Sequence, residues 1–269
     1  MRGMYGGRRA ARGLLLVYLG VAVLCASWAS GQETNQTSDA PKSPLPVEQV
    51  VKKLEEKNQE RALALRQFQG SRVYRMQYRG FPGSKDAEMA VTIDYRSPNT
   101  KTFSIVSQSG SKFIIDHVFK KLLEGEQEAA NEENRRRTAL DTTNYDFSFA
   151  GYETTPEGPR YILTIAPKTK NKFLYRGRIW IDANEFAVTQ IEAQPAKNPS
   201  FWIKKSEIRH QYIKVGDFWL PAENHTQSWI RLGGRADLTI EYKDYKVVEA
   251  APMQAGEGGR ENAKVVPSL

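Results

Sequence analysis

The sequence predicts an α+β fold dominated by a half-buried antiparallel sheet. Three observations carry that reading. Residues 173–245 alternate with a period of two: Phe173, Tyr175, Ile179 and Ile181 share one face, while Leu174, Arg176, Arg178, Trp180 and Asp182 share the other. Further on, Ala236, Leu238, Ile240 and Tyr242 oppose Asp237, Thr239, Glu241 and Lys243. One apolar and one wet face marks antiparallel strands, because parallel strands are buried on both sides. The second observation is where the alternation stops: at Asp182-Ala183-Asn184, Lys197-Asn198-Pro199, Val215-Gly216-Asp217 and Gly233-Gly234, all turn chemistry. The third is that helical spacing of apolar residues appears in two segments, one before the first strands and one after the third.

The first helix is expected over 47–68, where Val47, Val50, Val51, Leu54, Ala62, Leu65 and Phe68 recur at helical spacing. Pro46 suits its first turn, Gln69-Gly70 its end, and the polar run 57–61 leaves only its two ends to cover a sheet. Strands follow over 73–79, with Tyr74, Met76 and Tyr78 on one side, and 88–95, which groups Met89, Val91, Ile93 and Tyr95. A third covers 102–107. Over 112–140 the rhythm changes. Ile114, Val118 and Leu122 repeat every fourth residue, as do Ile115, Phe119 and Leu123, giving an apolar helical stripe. Phe113 to Ile115 could also finish a strand, with Asp116 as the helix cap. Past Gly125 the segment is polar, acids before arginines, which reads as a solvated helical arm with Glu132–Arg136 and Glu133–Arg137 at pairing distance. Strands resume at Tyr145, where Tyr145, Phe147 and Phe149 alternate with polar residues, and continue through Tyr161, Leu163 and Ile165. Then come 173–182, 185–195, 201–215, a short strand at 216–221, one around 225–232, and 236–248.

Both ends fall outside this pattern. Arg2, Arg8, Arg9 and Arg12 precede an apolar run, 14–24, of signal-peptide length, with small residues near Ala29 and Gly31 for cleavage. A bilayer-spanning helix needs about 20 apolar residues. The expected organisation is a signal peptide over 1–31, a flexible linker over 32–45, one domain over 46–249 and a disordered tail over 250–269. Cys25 is the single cysteine, so a chain cut after it has no thiol for disulfides, catalysis or thiolate metal sites. The formal charge of +8 includes those four arginines, leaving +8 − 4 = +4 after cleavage. Basic residues are scattered and the one cluster, 135–137, follows offsetting acids, so no nucleic-acid footprint is present.

Catalytic patterns are missing. His117, His210 and His225 lie far apart in sequence without a paired ligand, and His210 shares a strand face with Ile208 and Tyr212. No nucleophile elbow, phosphate-cradling glycine loop or His-Glu-x-x-His pair occurs. Residues 182–185 resemble the opening of a calcium loop but lack its glycine and distal glutamate. Glu192 and Glu207 are the carboxylates that could do acid–base work if they faced a cavity. Asn35-Gln36-Thr37 and Asn224-His225-Thr226 fit the glycan-acceptor pattern.

With the helix–strand–helix order in view, the strand Gly177-Arg178-Ile179-Trp180-Ile181-Asp182, the strand at 185–194, Phe218-Trp219-Leu220-Pro221 and Tyr242-Lys243-Asp244-Tyr245 give the chain a family look. It resembles the outer-membrane lipoprotein-sorting (LolA/LolB-like) superfamily, over about residues 46–248. The resemblance implies a curved, incompletely closed antiparallel sheet, a half-barrel, covered by helices, with an apolar concavity that takes acyl chains. It carries no catalytic residue and no cofactor. The long polar arm at 124–137 and the 198–202 loop depart from a minimal carrier.

Physical reasoning points the same way, since two amphipathic helices are few to cover one long apolar sheet face. The expected function is a non-enzymatic periplasmic, monomeric carrier of lipids or lipid-modified proteins. An envelope sensor that binds a protein partner is the alternative. The expected cavity set is Tyr74, Met76, Ile93, Ile114, Val118, Phe119, Leu122, Phe147, Leu163, Ile179, Ile208, Leu238 and Ile240. Phe201 and Trp202 are consecutive, so one must face away from a core; with Lys204 and Lys205 they form the expected partner or membrane contact.

Overall fold

A computed structural model of the chain describes residues 45–130 and 132–251. The expected signal peptide, nearly all of the linker (through residue 44) and the tail from 252 lie outside the described residues. So do Cys25 and the Asn35 acceptor. Among the described residues no helix is long and apolar enough to cross a membrane.

Ten strands form one sheet in the order β3-β2-β1-β10-β9-β8-β7-β6-β5-β4, with every neighbouring pair antiparallel. They are β1 Leu65–Gly80, β2 Lys85–Arg96, β3 Thr100–Gly110, β4 Tyr145–Thr155, β5 Gly158–Pro167, β6 Tyr175–Asp182, β7 Val188–Pro195, β8 Ile203–Val215, β9 Phe218–Ile230 and β10 Gly234–Ala250. The sheet is a meander joined into one surface by β1 pairing with β10, and β3 and β4 are its open edges. The chain between those edges is helical. It comprises α2, which spans 112–129 and contains a π turn at Ile115–Phe119, and the short α3, Glu132–Thr138. An open antiparallel sheet with helices on one face is the architecture anticipated from the sequence.

Several boundaries differ from expectation, and the alternative left open at 113–115 is resolved. Helix α1 is Val47–Ala64 and stops four residues early, because Leu65 turns extended (φ −75°, ψ 108°). The residues that kept helical spacing up to Phe68 belong to β1, where the Phe68 ring stacks on Tyr95 at 5.1 Å and meets Tyr245 edge-on. The segment 112–115 is helical, not the end of a strand. And the two short strands expected at 216–221 and 225–232 are one strand, β9. Pro221 cannot donate to a ladder, but it sits opposite Tyr212 beside a register shift, where the missing N–H is tolerated.

Two large clusters make most of the core, and a small third one sets Ala64 at the end of α1 against Phe218 and Leu220 of β9. Helix α1 lays Val50, Val51 and Leu54 onto Leu163, Ile165, Ile179, Ile181 and Ile191, covering β4 to β7. Helix α2 lays Ile114, Ile115, Phe119 and Leu123 onto Tyr74, Met89, Val91, Leu238 and Ile240, covering β1, β2 and β10. Backbones also meet closely: a Cβ on Gly177 would lie 2.1 Å from the Glu192 carbonyl oxygen, so only glycine lets β6 and β7 pair there. Between the two helices the concave faces of β8 and of β9 beyond Leu220 are left without a helical cover.

Candidate functional site: an open cavity over β8 and β9

That gap is a cavity of about 1640 Å³ running along the concave face of the sheet. Drug-sized ligands usually occupy about 300–1000 Å³, so this space suits something larger. Its floor is Ile203, Ser206, Ile208, His210 and Tyr212 of β8 with Asn224, Thr226, Ser228 and Ile230 of β9. Helix α2 closes one side with Ile114, Val118 and Leu122; the polar second half of α1 closes the other with Glu55, Asn58, Gln59 and Arg61. The polar interruption seen in α1 therefore borders open space, and Arg61 leaves it to donate to the Glu185 and Phe186 carbonyls at the β6–β7 turn.

The two apolar rows of α2 divide their work. Ile115, Phe119 and Leu123 are buried against the sheet, whereas Val118 and Leu122 look into the cavity. The expected site residues sort accordingly. Tyr74, Met76, Ile114, Val118, Leu122, Ile208, Leu238 and Ile240 come together as cavity wall. The other five do not. Phe119 is fully buried between α2 and Tyr74, and Ile93 is buried on β2. Leu163 and Ile179 are fully buried beneath α1, and Phe147 packs on that same cluster. Alternation identifies the inward face of a strand, but it cannot say which stretch of that face a helix occupies.

The polar atoms of the cavity are the part that periodicity missed. Arg72 is buried on β1, lies over the Phe103 and Tyr242 rings (5.3 and 4.8 Å), and donates twice to Glu126 of α2, at 2.5 and 3.1 Å. Lys101 of β3 donates to the same carboxylate at 2.8 Å. Burial alone would raise the Glu126 pKa, but Lys101 and Arg72 overcome it and hold the carboxyl well below the usual carboxylate range. Burial likewise opposes the Arg72 charge, and Glu126 reverses the balance upward. The expected solvated arm is thus anchored at its start by a partly buried ion triad. Further on, Arg135 donates to the Pro98 carbonyl at 2.9 Å, tying α3 to the β2–β3 turn, and Glu133–Arg137 pair at 2.8 Å on the surface.

On the floor, His210 stacks on Tyr212 (4.9 Å) and Tyr242 (6.0 Å). Burial pushes its pKa down to about 4, so the ring is neutral at neutral pH. Among the described residues its Nε2 and the Tyr212 hydroxyl are buried without a hydrogen-bond partner. Ser206 and Ser228 satisfy each other at 2.7 Å, and Thr226 donates to Asn224 at 2.9 Å. Asn224 and Thr226 point into the cavity from mid-strand, so this acceptor pattern is not a surface loop. Glu192 and Glu207 lie on the opposite face, paired with Arg178, Arg209 and Lys205. The 182–185 turn is held by the Asp182 carboxylate accepting from the Asn184 and Glu185 backbone N–H groups.

No protein-family model matches the chain, and no curated protein does. Solved structures do. An outer-membrane lipoprotein-sorting protein domain from Vibrio parahaemolyticus is 10% identical, covering 74% of this chain and 91% of its own, with a TM-score of 0.38. A LolA-superfamily protein from Nitrosomonas europaea is 11% identical over 74% of this chain and 94% of its own, at 0.36. MucB, in its Pseudomonas aeruginosa complex with MucA, is 9% identical over 76% of this chain and 99% of that chain, at 0.24. The chain is similar to these proteins, but the superpositions are loose and the identities low. What the cavity can hold has to come from its own residues.

Proposed function

We propose that this chain is a non-enzymatic carrier that binds the acyl chains of lipids or lipid-modified proteins in the cavity over β8 and β9. The observation that supports this most is the mismatch between cover and sheet. Two helices bury the two ends of one apolar concave face, and between them is left a space of about 1640 Å³ walled by Val118, Leu122, Ile208, Leu238 and Ile240. Each CH₂ moved there from water contributes roughly 0.8 kcal/mol, so a partly buried chain already gives measurable affinity. The polar floor adds a place for a neutral hydrogen-bonding group of the ligand, such as an ester or amide, beside His210, Tyr212 and Asn224. Export to the periplasm belongs to the same proposal and is supported by the arginine-then-leucine amino terminus.

Native mass spectrometry of delipidated protein with added palmitic acid or a diacylated lipopeptide tests the binding. A stoichiometric adduct on the folded protein is expected, lost or weakened in Ile208→Trp, whose indole would fill the floor. A folded wild type that takes up neither ligand would falsify the carrier reading.

A further inference from the structure

The strand order sends every connection to one of two ends of the sheet, and the two ends are chemically opposite. One end carries the β1–β2 turn, the β9–β10 turn, the β7–β8 and β5–β6 connections and the α3–β4 connection. Contacts tie its turns together: the Tyr78 hydroxyl donates to the Phe81 and Gly233 carbonyls, and Arg231 donates from its backbone N–H to the Trp202 carbonyl and from Nε to that of Phe201. In these connections stand Lys168, Lys170, Lys172, Lys197 and Arg231 against one acid, Asp141, and two of the lysines reach acids on neighbouring elements, Lys168 to Asp146 and Lys172 to Glu128. The opposite end carries the turns β2–β3, β4–β5, β6–β7 and β8–β9. Their charged residues are Glu157, Glu185 and Asp217, with no base.

The basic end is also where apolar side chains are left in solvent. The three most exposed large hydrophobics among the described residues are Phe81 (77%), Phe201 (75%) and Leu232 (68%), on three turns that follow one another along this rim. Trp202 and Phe113 add to them. Phe81, Phe113, Trp202 and Leu232 also border the cavity, so its mouth and this patch are continuous. Beside the patch lies a second hollow of about 600 Å³, lined by Arg137, Lys170, Lys172 and Lys197 and shaped from polar residues.

We propose that this end of the molecule docks on an anionic lipid bilayer. Aromatic and leucine side chains enter the interface, where Trp and Phe are favourable, while the lysines and arginines sit at the level of anionic headgroups. A folded surface that presents apolar tips beside Lys170, Lys197 and Arg231 also fixes orientation: the cavity mouth faces the membrane. The expected contact of Phe201, Trp202, Lys204 and Lys205 is one sector of this rim. The inference depends on the surface alone, so it stands or falls separately from what the cavity holds.

The test uses the chain from Gln32 onward, which retains every described helix and strand. Co-sedimentation is measured with vesicles of equal parts phosphatidylglycerol and phosphatidylcholine, and with phosphatidylcholine alone. Binding to the anionic vesicles is expected, weakening with salt. Phe201→Ser/Trp202→Ser and, separately, Lys170→Glu/Lys197→Glu should each weaken it about tenfold or more, while Asp217→Asn at the other end leaves it unchanged. Palmitate binding in the absence of vesicles should persist in the lysine and Asp217 variants, whose residues do not line the cavity, which keeps this test apart from that of the carrier. Equal partition to both vesicle types, or none to either, would overturn the proposal. So would an aromatic double variant that binds as well as wild type while inorganic phosphate at constant ionic strength displaces both, which would mean a phosphate hollow only. Capture of a defined protein through the aromatic pair, without vesicle binding, would likewise replace the bilayer with a protein partner.

Discussion

His210 should make stability fall as the pH drops through the range where an ordinary histidine titrates. Its pKa is lowered from about 6.5 to about 4 because burial on the cavity floor penalises the imidazolium. The groups facing it are the Tyr212 and Tyr242 rings and the Arg72–Glu126 pair, whose opposite charges pull its pKa in opposite directions. The sign follows from proton counting. Between pH 6.5 and 4 the unfolded chain binds a proton that the folded chain refuses, so stability is full above about 6.5 and lost progressively down to about 4. At about 1.4 kcal/mol per pH unit of separation, the loss between pH 7.5 and pH 4.5 is at most about 2.5 kcal/mol. His210→Phe keeps the stacking, removes the titration and removes the unpartnered Nε2. Urea denaturation of both proteins at the two pH values isolates the effect, since all other titrating groups are shared. Wild type should lose about 2 kcal/mol more than the variant over this interval. Equal losses would show that His210 is not a buried neutral base, and the description of the floor would be wrong.

Other predictions follow from individual contacts. Phe119→Ala should destabilise by about 3–5 kcal/mol by opening a void under α2, read from the denaturation midpoint; a cost under about 1 kcal/mol would mean α2 is not packed on Tyr74. Glu126→Gln leaves Arg72 and Lys101 facing each other and should cost about 2–3 kcal/mol, toward the low end for a broken buried pair because the Glu126 side chain is 27% exposed. Gly177→Ala should disrupt β6–β7 pairing, seen as amide exchange at 176–178, because the added methyl would meet the Glu192 carbonyl.

Much of this fold was legible because alternation and turn chemistry are local. Every stretch expected to be extended contains a strand, two of them merged into β9, and the pairing of β1 with β10 turns them into one open sheet. The misplacements have local causes too. Phe68 keeps helical spacing with Leu65 but stacks on Tyr95, an aromatic 27 residues away that no window around α1 includes. Pro221 reads as a strand end, and the β8 register shift that accommodates it lies in another strand. The same limit governs the site. Period-two patterning put Leu163 and Ile208 on inward faces alike, yet α1 lies over Leu163 and nothing helical lies over Ile208. Arg72 was the signal left unread: a charged residue on the inward parity of β1, between Gly70 and Tyr74, which could only be tolerated with a buried acid partner. Its partner, Glu126, sat in the segment read as a solvated arm.

The central claim is that an acyl chain lies in the space between α2 and the β8–β9 floor. Crystallographic soaking or co-crystallisation with a fatty acid brominated near its methyl end locates that chain directly. Anomalous bromine density is expected inside the cavity, within van der Waals reach of Val118, Ile208 and Leu238. Bromine found only on the exposed outer face of the sheet, or a cavity whose density is unchanged at saturating ligand, would contradict the account.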